Sequence, residues 1–112
     1  MVVRGTPLRG EAWICAFPAR IGPHPVVILT INRIAAPLSA VTVVTITGTA
    51  GPLWTHIPLG PDAGLKKHDE SYVNCTDVHT VRKHQLRRRL GLLAPGELRA
   101  VENTLRVVLG LD

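Results

Sequence analysis

The sequence predicts a mainly β fold that ends in an α-helix. The first two thirds of the chain hold short β-branched and aliphatic runs separated by Gly and Pro, which is typical of strands and turns. Near the end of the chain, apolar residues recur three and four apart, which is typical of an amphipathic helix. With 112 residues, 46% of them apolar, we expect a single domain over residues 1–112.

Five apolar stretches predict strands. They are Leu8–Phe17, Pro25–Ile31, Val41–Thr47, Trp54–Leu59 and Ser71–Val78. The third is almost entirely β-branched, as strands prefer. Turn residues separate the stretches, most clearly at Gly60–Gly64.

Two helices are predicted after these strands. In Arg82–Leu90, two leucines lie four residues apart, as on one face of a short helix. Pro95 suits the first turn of a second helix, and Gly110 suits its end. One stripe of this second helix is apolar and consists of Leu98, Val101, Leu105, Val108 and Leu109.

Charge and cysteine content narrow the possible function classes. Thirteen Lys and Arg residues against eight Asp and Glu give a net charge of +5, which favours a polyanionic or acidic partner. Cys15 and Cys75 form neither a disulfide framework nor a Cys-x-x-Cys motif, so we expect buried thiols. No apolar run approaches the ~20 residues that a membrane span needs, and the amino end lacks a signal peptide. We therefore expect a cytoplasmic protein with no membrane association.

No pattern indicates a metal or a cofactor. The sequence lacks a Gly-rich phosphate loop and a His-Glu-x-x-His motif. The histidines, His68 among them, do not show three-ligand metal spacing. Asp69 and Glu70 form the only adjacent carboxylate pair, whereas metal-dependent nuclease chemistry uses clustered carboxylates.

Several segments, in order, resemble the MazF/PemK/Kid-like toxins of bacterial toxin–antitoxin pairs, also called mRNA interferases. These segments are Arg9–Trp13, Pro25–Leu29, Val43–Thr47, Thr55–Ile57, Val78–Leu86 and Leu105–Leu111. The resemblance covers nearly the whole chain, from Leu8 to Leu111.

The resemblance implies a fold, an activity and partners. The fold is an SH3-like small barrel with attached helices, the MazF/PemK/CcdB-like toxin fold, assembled as a homodimer. The activity is sequence-specific, metal-independent cleavage of single-stranded RNA, with mRNA as substrate and tRNA or rRNA as alternatives. The protein partner is a cognate antitoxin, whose acidic segment lies across the RNA groove.

The resemblance also implies two catalytic positions. RNA can be cut by its own 2′-hydroxyl, which leaves a 2′,3′-cyclic phosphate and a 5′-hydroxyl, if the protein moves protons and stabilises phosphoryl charge. In the family, an Arg before the second-strand Pro and the Thr ending the third strand do most of this work. Thr47 matches the Thr, but His24 stands where the family has Arg. Histidine titrates near pH ~6.5 and can exchange protons, but it lacks the permanent charge of arginine.

Further residues are predicted to contact RNA: Arg20, Trp54, His56, Asp77, His79, Arg82 and Lys83. Arg20 offers a cation four residues before His24, and Trp54 could stack on a base. Asp77 and His79 are two apart on a predicted strand, so they share a face and could pair.

Some of these residues also have a purely structural interpretation. For the Asp77–His79 pair, a structural polar edge is the favoured alternative. The basic run over 82–89, which includes Arg87, Arg88 and Arg89, is interpreted as a solvated surface or as a contact for RNA phosphates or an acidic antitoxin. The Kid-like branch has an Arg and an Asp where this chain has Asn74 and Thr76, so that branch's acid–base pair is missing.

Two alternative functions use the same fold. Relatives of this fold poison DNA gyrase through a C-terminal helix, a route that needs neither His24 nor Thr47. Alternatively, the chain is a degenerate toxin that binds its antitoxin but has little RNase activity, because His24 replaces the family's Arg.

Overall fold

A computed structural model describes residues 6–65 and 70–112 of the chain. His68 and Asp69, considered above as metal ligands, lie outside the described residues. Within these ranges the chain forms six strands and two α-helices. They are β1 (Glu11–Ala16), β2 (Pro23–Ile28), α1 (Asn32–Ala35), β3 (Ala40–Thr47), β4 (His56–Leu59), β5 (Ser71–Arg82), β6 (Leu86–Leu92) and α2 (Pro95–Val108).

The strands form one antiparallel sheet in the order β4-β5-β3-β2-β1-β6. All five predicted strands are confirmed, with different ends. β2 begins at Pro23 because the Pro23–Ala16 pair already belongs to the ladder with β1. β4 begins only at His56, so Trp54 lies in the preceding turn. The short helix α1 was not predicted, since four residues are too few to show a periodic pattern.

The predicted helix over Arg82–Leu90 is wrong. β5 extends to Arg82, one turn of 3-10 helix covers Lys83–Gln85, and β6 then pairs with β1. Two register shifts in the β1–β6 pairing send Leu86 and Leu90 to different apolar clusters, so their spacing of four does not reflect a helix face. Because β6 is an edge strand, its charged side chains can stay exposed while its backbone pairs with β1.

The sheet is buried on both faces. Val27 and Val44 pack in a cluster that also contains Val101 of α2, whereas Val26 and Val43 pack on the opposite face with Trp13 and Cys15. Consecutive valines therefore serve opposite clusters, which explains the uninterrupted β-branched runs in the sequence.

Three charged residues hold helix α2 in place. The Glu97 carboxylate accepts the backbone N–H of Ala94 at 2.8 Å and that of Gly60 at 2.5 Å. The Arg9 guanidinium donates to the Leu29 carbonyl and pairs with Glu102 on α2. The predicted amphipathic helix is thus confirmed. It is bound to the turn after β4 through Glu97 and to the segment before β1 through Glu102.

The carboxylate of Glu11 connects the start of β1 to β6. Its side chain is buried and accepts the backbone N–H of Leu8 at 2.7 Å, Trp13 Nε1 at 3.1 Å and Arg89 Nε at 2.5 Å. Three donors satisfy a charge that would be costly to bury alone. The predicted burial of Trp13 is confirmed, with 4% of its surface exposed.

Backbone contact between the turn after β4 and strand β6 brings the two edges of the sheet together. Gly64 has φ +76°, and a Cβ added there would overlap the Leu90 carbonyl. A Cβ on Gly91 would likewise overlap the backbone of Asp62 and Ala63. The two segments approach closely because both glycines lack a side chain, and this contact brings the edges of the sheet together as the small-barrel expectation requires.

We expect Gly64→Ala to lower the free energy of unfolding by more than about 2 kcal/mol. A left-handed φ costs a residue with a Cβ about 1–2 kcal/mol, and the overlap with Leu90 adds about 1–3 kcal/mol. Urea unfolding measures the loss. Gly22→Ala is the matched control, because Gly22 also has positive φ (+68°) but no atom within 4 Å of the added Cβ. Equal losses in both variants would contradict close contact at the closure.

Candidate active site

A cleft of about 710 Å³ opens at the end of the sheet where β2 begins and β3 ends. Its volume is that of a typical ligand site. It is lined by Ile14, Pro23, His24, Pro25, Ile46, Thr47, Gly48, Gly64, Leu65, Ser71, Arg88 and Leu90. Since consecutive residues of β2 and β3 line it, and alternate residues of a strand face opposite sides, the cleft wraps around the ends of these strands.

Antiparallel pairing brings the two predicted catalytic residues into this cleft. Val26 of β2 lies opposite Thr45 of β3. His24 and Thr47 each lie two residues beyond that pair, so they end neighbouring strands and share a face. The sheet thus joins two positions that are far apart in the sequence.

The Thr47 hydroxyl is oriented as a donor. The backbone N–H of Thr49 donates to Thr47 Oγ1 at 3.1 Å, which occupies an oxygen lone pair and leaves the hydroxyl proton available. The His24 side chain is half-buried and has no hydrogen-bond partner among the described residues. Both groups are therefore open to a ligand in the cleft.

Asp77 and His79 form the predicted pair. His79 Nε2 lies 2.7 Å from Asp77 Oδ1, and Asp77 Oδ2 accepts the Thr45 hydroxyl at 2.8 Å. A register shift of β5 against β3 after the Val44–Val78 pair brings Asp77 to Thr45, as bulges commonly re-aim side chains beside functional sites. The Phe17 ring meets the His79 ring edge-on at 5.1 Å. A carboxylate and an aromatic ring thus orient the His79 imidazole, and the same carboxylate contacts Thr45, two residues along β3 from Thr47.

Two predicted RNA contacts lie on exposed loops that adjoin the cleft. Arg20 lies in the loop between β1 and β2, and Trp54, which is 73% exposed, lies in the loop between β3 and β4. Pro23 and Gly48, where these loops meet the strands, both line the cleft.

His56 is held within the second of these loops. Its Nδ1 lies 2.8 Å from the Thr55 hydroxyl, which itself donates to the Pro52 carbonyl at 3.1 Å. The hydroxyl has one proton, so His56 Nδ1 carries the proton that joins these two residues. The ring also lies against Gly51, where an added Cβ would be 2.5 Å from it. These contacts leave Nε2 as the ring nitrogen available to a ligand.

The structure does not bring Arg82 and Lys83 to the cleft of the same chain. Arg82 pairs with Ala40 at the start of β3, about 23 Å from Thr47 at its end for an eight-residue strand. Arg82 donates to the Ser39 hydroxyl at 3.1 Å, and Lys83 Nζ donates to the Ala36 carbonyl at 3.2 Å.

Arg88 lines the cleft, although the sequence did not single it out from the basic run over 82–89. The erroneous helix concealed it, because strand pairing alone places Arg88 opposite Ile14. No sequence signal distinguished it from the arginines on either side.

Within the described ranges, no group of three or more His, Cys, Asp or Glu residues is arranged to hold a metal ion. The same parts of the chain contain no helix of the length and apolar character that a membrane crossing requires.

Comparison with known proteins identifies a family of bacterial toxins. Residues 8–109 match the family described as "PemK-like, MazF-like toxin of type II toxin-antitoxin system". The "Probable endoribonuclease MazF2" of Mycobacterium tuberculosis is 34% identical over 91% of this chain and 97% of its own. A mycobacterial endoribonuclease solved in complex with its cognate antitoxin superposes with a TM-score of 0.84 at 28% identity, over 95% of this chain and 97% of that one. A MazE–MazF complex of Deinococcus radiodurans shares the fold, with a TM-score of 0.80 at 17% identity over 96% and 98% of the two chains.

The two cysteines are buried, as predicted, and are not bonded to each other. Burial raises the pKa of the Cys75 thiol to about 11. Burial also raises the pKa of Cys15, and the charge of Arg87 opposes that rise. Because a thiolate is the reactive form, neither residue is suited to be a nucleophile at neutral pH.

We expect Cys75 in the folded protein to react with iodoacetamide at pH 8 at least ~100-fold more slowly than in the unfolded chain. A pKa of about 11 leaves little thiolate at that pH, whereas an exposed cysteine near 8.5 is substantially ionised. Mass spectrometry after timed quenching measures both rates, with urea-unfolded protein as the control. Rates within tenfold of each other would contradict the buried, protonated thiol.

Proposed function

Since the chain belongs to the family of PemK-like, MazF-like toxins of type II toxin–antitoxin systems, it is an endoribonuclease toxin, and we propose that it cuts single-stranded RNA without a metal. The observation that carries this proposal is the presence of His24 and Thr47 in one cleft. The net charge of +5 suits a polyanionic substrate. We propose mRNA as the substrate, and hence the cytoplasm as the compartment.

The proposed reaction uses the 2′-hydroxyl of the RNA as its nucleophile. His24 accepts the proton of that hydroxyl, the 2′-oxygen bonds to phosphorus, and the bond from phosphorus to the 5′-oxygen breaks. The Thr47 hydroxyl donates a hydrogen bond to a phosphoryl oxygen as charge develops on it. The imidazolium of His24 then returns its proton to the departing 5′-oxygen. The products are a 2′,3′-cyclic phosphate and a 5′-hydroxyl.

Residues around the cleft are proposed to hold the RNA. Arg20 pairs with a phosphate and Trp54 stacks on a base, since single-stranded RNA is commonly bound by cations and aromatic rings. His79, which Asp77 orients, contacts the RNA next to the part that Thr47 binds. His56 offers Nε2 from the loop that carries Trp54.

Arg82 and Lys83 are proposed to bind phosphates beyond the cleft, because they lie at the opposite end of β3. Both residues are basic and Arg82 is exposed, so this surface could bind the remainder of a longer RNA strand or an acidic protein partner.

We propose two protein partners. One is a cognate antitoxin, in keeping with the family and with the antitoxin complex of the mycobacterial relative. The other is a second copy of the chain, in a homodimer.

The central test is a cleavage assay on single-stranded RNA in EDTA, with the new ends mapped. We expect wild type to cut, and Thr47→Ala and His24→Ala each to reduce the rate on the order of 10²-fold, the usual cost of removing one proton-transfer group or one phosphoryl donor. Thr80→Ala is the matched control, since Thr80 is exposed on β5 near the opposite end of the sheet.

Different outcomes contradict different parts of the proposal. Cleavage that requires added Mg²⁺ contradicts the metal-independent mechanism, and unchanged rates in both variants contradict the assigned residues. RNA left intact by wild type, with gyrase inhibition that persists in both variants, favours a non-catalytic poison. If His24→Arg sharply raises a weak wild-type rate, the chain is a degenerate toxin.

The homodimer predicts a molar mass in solution of twice the 12.1 kDa chain mass. Size-exclusion chromatography with light scattering measures it on the isolated chain, across a dilution series. A mass that stays at one chain mass at every concentration would contradict the dimer.

A further inference from the structure

We propose that Arg88 binds a backbone phosphate of the RNA in the cleft and supplies the permanent positive charge that His24 lacks. This inference rests on the proposed function, because it assumes that RNA occupies the cleft. It assigns a phosphate-binding role to a residue for which the resemblance to known toxins implies none.

Strand pairing places Arg88 beside two other residues that line the cleft. Ile14 of β1 lies opposite Pro25 of β2 on one side and opposite Arg88 of β6 on the other. All three residues line the cleft. Arg88 therefore lies on the face that carries Ile14 and Pro25, two strand spacings or about 10 Å from β2. His24 lies on the opposite face at the end of β2, and the cleft wraps around this end, so an extended arginine side chain and a phosphate group together can bridge the gap.

The neighbouring arginines act elsewhere, Arg89 through an ion pair and Arg87 through its charge. Arg89 lies opposite Trp13 and donates to the buried Glu11 carboxylate at 2.5 Å. Arg87 lies at the register shift and acts on Cys15, whose pKa its charge lowers against the effect of burial. Arg88 forms no hydrogen bond or ion pair within the described residues, so its guanidinium is available to a ligand.

Arg88 provides the permanent positive charge among the described residues of the cleft. Among the described residues that line it, Arg88 is the one Lys or Arg, and there is no Asp or Glu. Arg88 is exposed, and Ile14, Ile46 and Leu90 form apolar walls of the cleft. A guanidinium presents paired N–H groups that match phosphate geometry, and it stays charged at every physiological pH, whereas a histidine is protonated for only part of the time.

The test measures RNA binding apart from cleavage. The probe is a single-stranded 2′-fluoro RNA oligonucleotide, which lacks the nucleophilic hydroxyl, and its Kd is measured at several NaCl concentrations. Each phosphate contact in a single strand contributes ~0.7 to the slope of log K against log salt. We expect Arg88→Gln to reduce the slope by ~0.7, Arg88→Lys to retain it, and the matched control Arg87→Gln to leave it unchanged.

Two further measurements complete the test. Arg88→Gln should lower kcat/KM on cleavable RNA on the order of 10²-fold, as removal of a group that stabilises phosphoryl charge does. His24→Arg in the Arg88→Gln background should restore the slope, because it returns a permanent charge to the cleft. Thermal melts of each variant identify any loss of fold, and Arg88→Lys tests the same charge with the smallest change in side chain.

The failures of the two proposals are distinguishable. If wild type binds and cuts RNA but the slope of Arg88→Gln equals that of wild type, the role of Arg88 is refuted and the nuclease stands. If Arg87→Gln loses as much slope as Arg88→Gln, the effect is general surface charge and the role is refuted. Wild type that neither binds nor cuts RNA refutes the proposed function itself.

Discussion

The structure depends on how the buried carboxylate of Glu11 is satisfied. A charged group with little access to water must be hydrogen-bonded, and the donors that reach it come from Leu8, Trp13 and Arg89. The first two set the turn that enters β1, and the third joins β1 to the edge strand β6. Since β6 has few apolar side chains to define its register, this charged contact distinguishes three otherwise similar arginines.

The consequence for the cleft is electrostatic. With Arg89 held by Glu11 on one face of β6, Arg88 lies on the other face, with Ile14 and Pro25. Because the cleft wraps around the strand ends, it is lined by Arg88 from this face and by His24 and Thr47 from the other. Under our proposal, His24 can stand where resemblance assigns an arginine, because Arg88 brings a permanent charge from another strand. Proton transfer is then the proposed task of His24, and charge stabilisation that of Arg88.

The Asp77–His79 pair shows how a local irregularity serves the site. Alternation along a strand predicts that the two side chains share a face, and they do. The contact between Asp77 and Thr45 depends in addition on the register shift of β5 against β3, which no residue pattern marks. This shift joins the pair to the strand that carries Thr47.

Glycines complete the barrel in a way that composition does not show. Gly64 and Gly91 lie far apart in the sequence, and each resembles an ordinary turn or strand-end glycine. Each position requires glycine because the backbone of the other segment leaves no room for a Cβ. Closure of the sheet at this point also places Gly64, Leu65 and Leu90 along the cleft.

Sequence alone determined the strands through β5 and the amphipathic helix α2, because β-branched runs and three-and-four spacing are local properties. Through resemblance it also identified His24 and Thr47 as the candidate pair. Only the tertiary structure decided that residues 86–92 form a strand and that Arg88 enters the cleft. An edge strand is held by backbone hydrogen bonds to a distant partner, β1, and by the Glu11–Arg89 contact, so its own residues carry no periodic signal of their conformation.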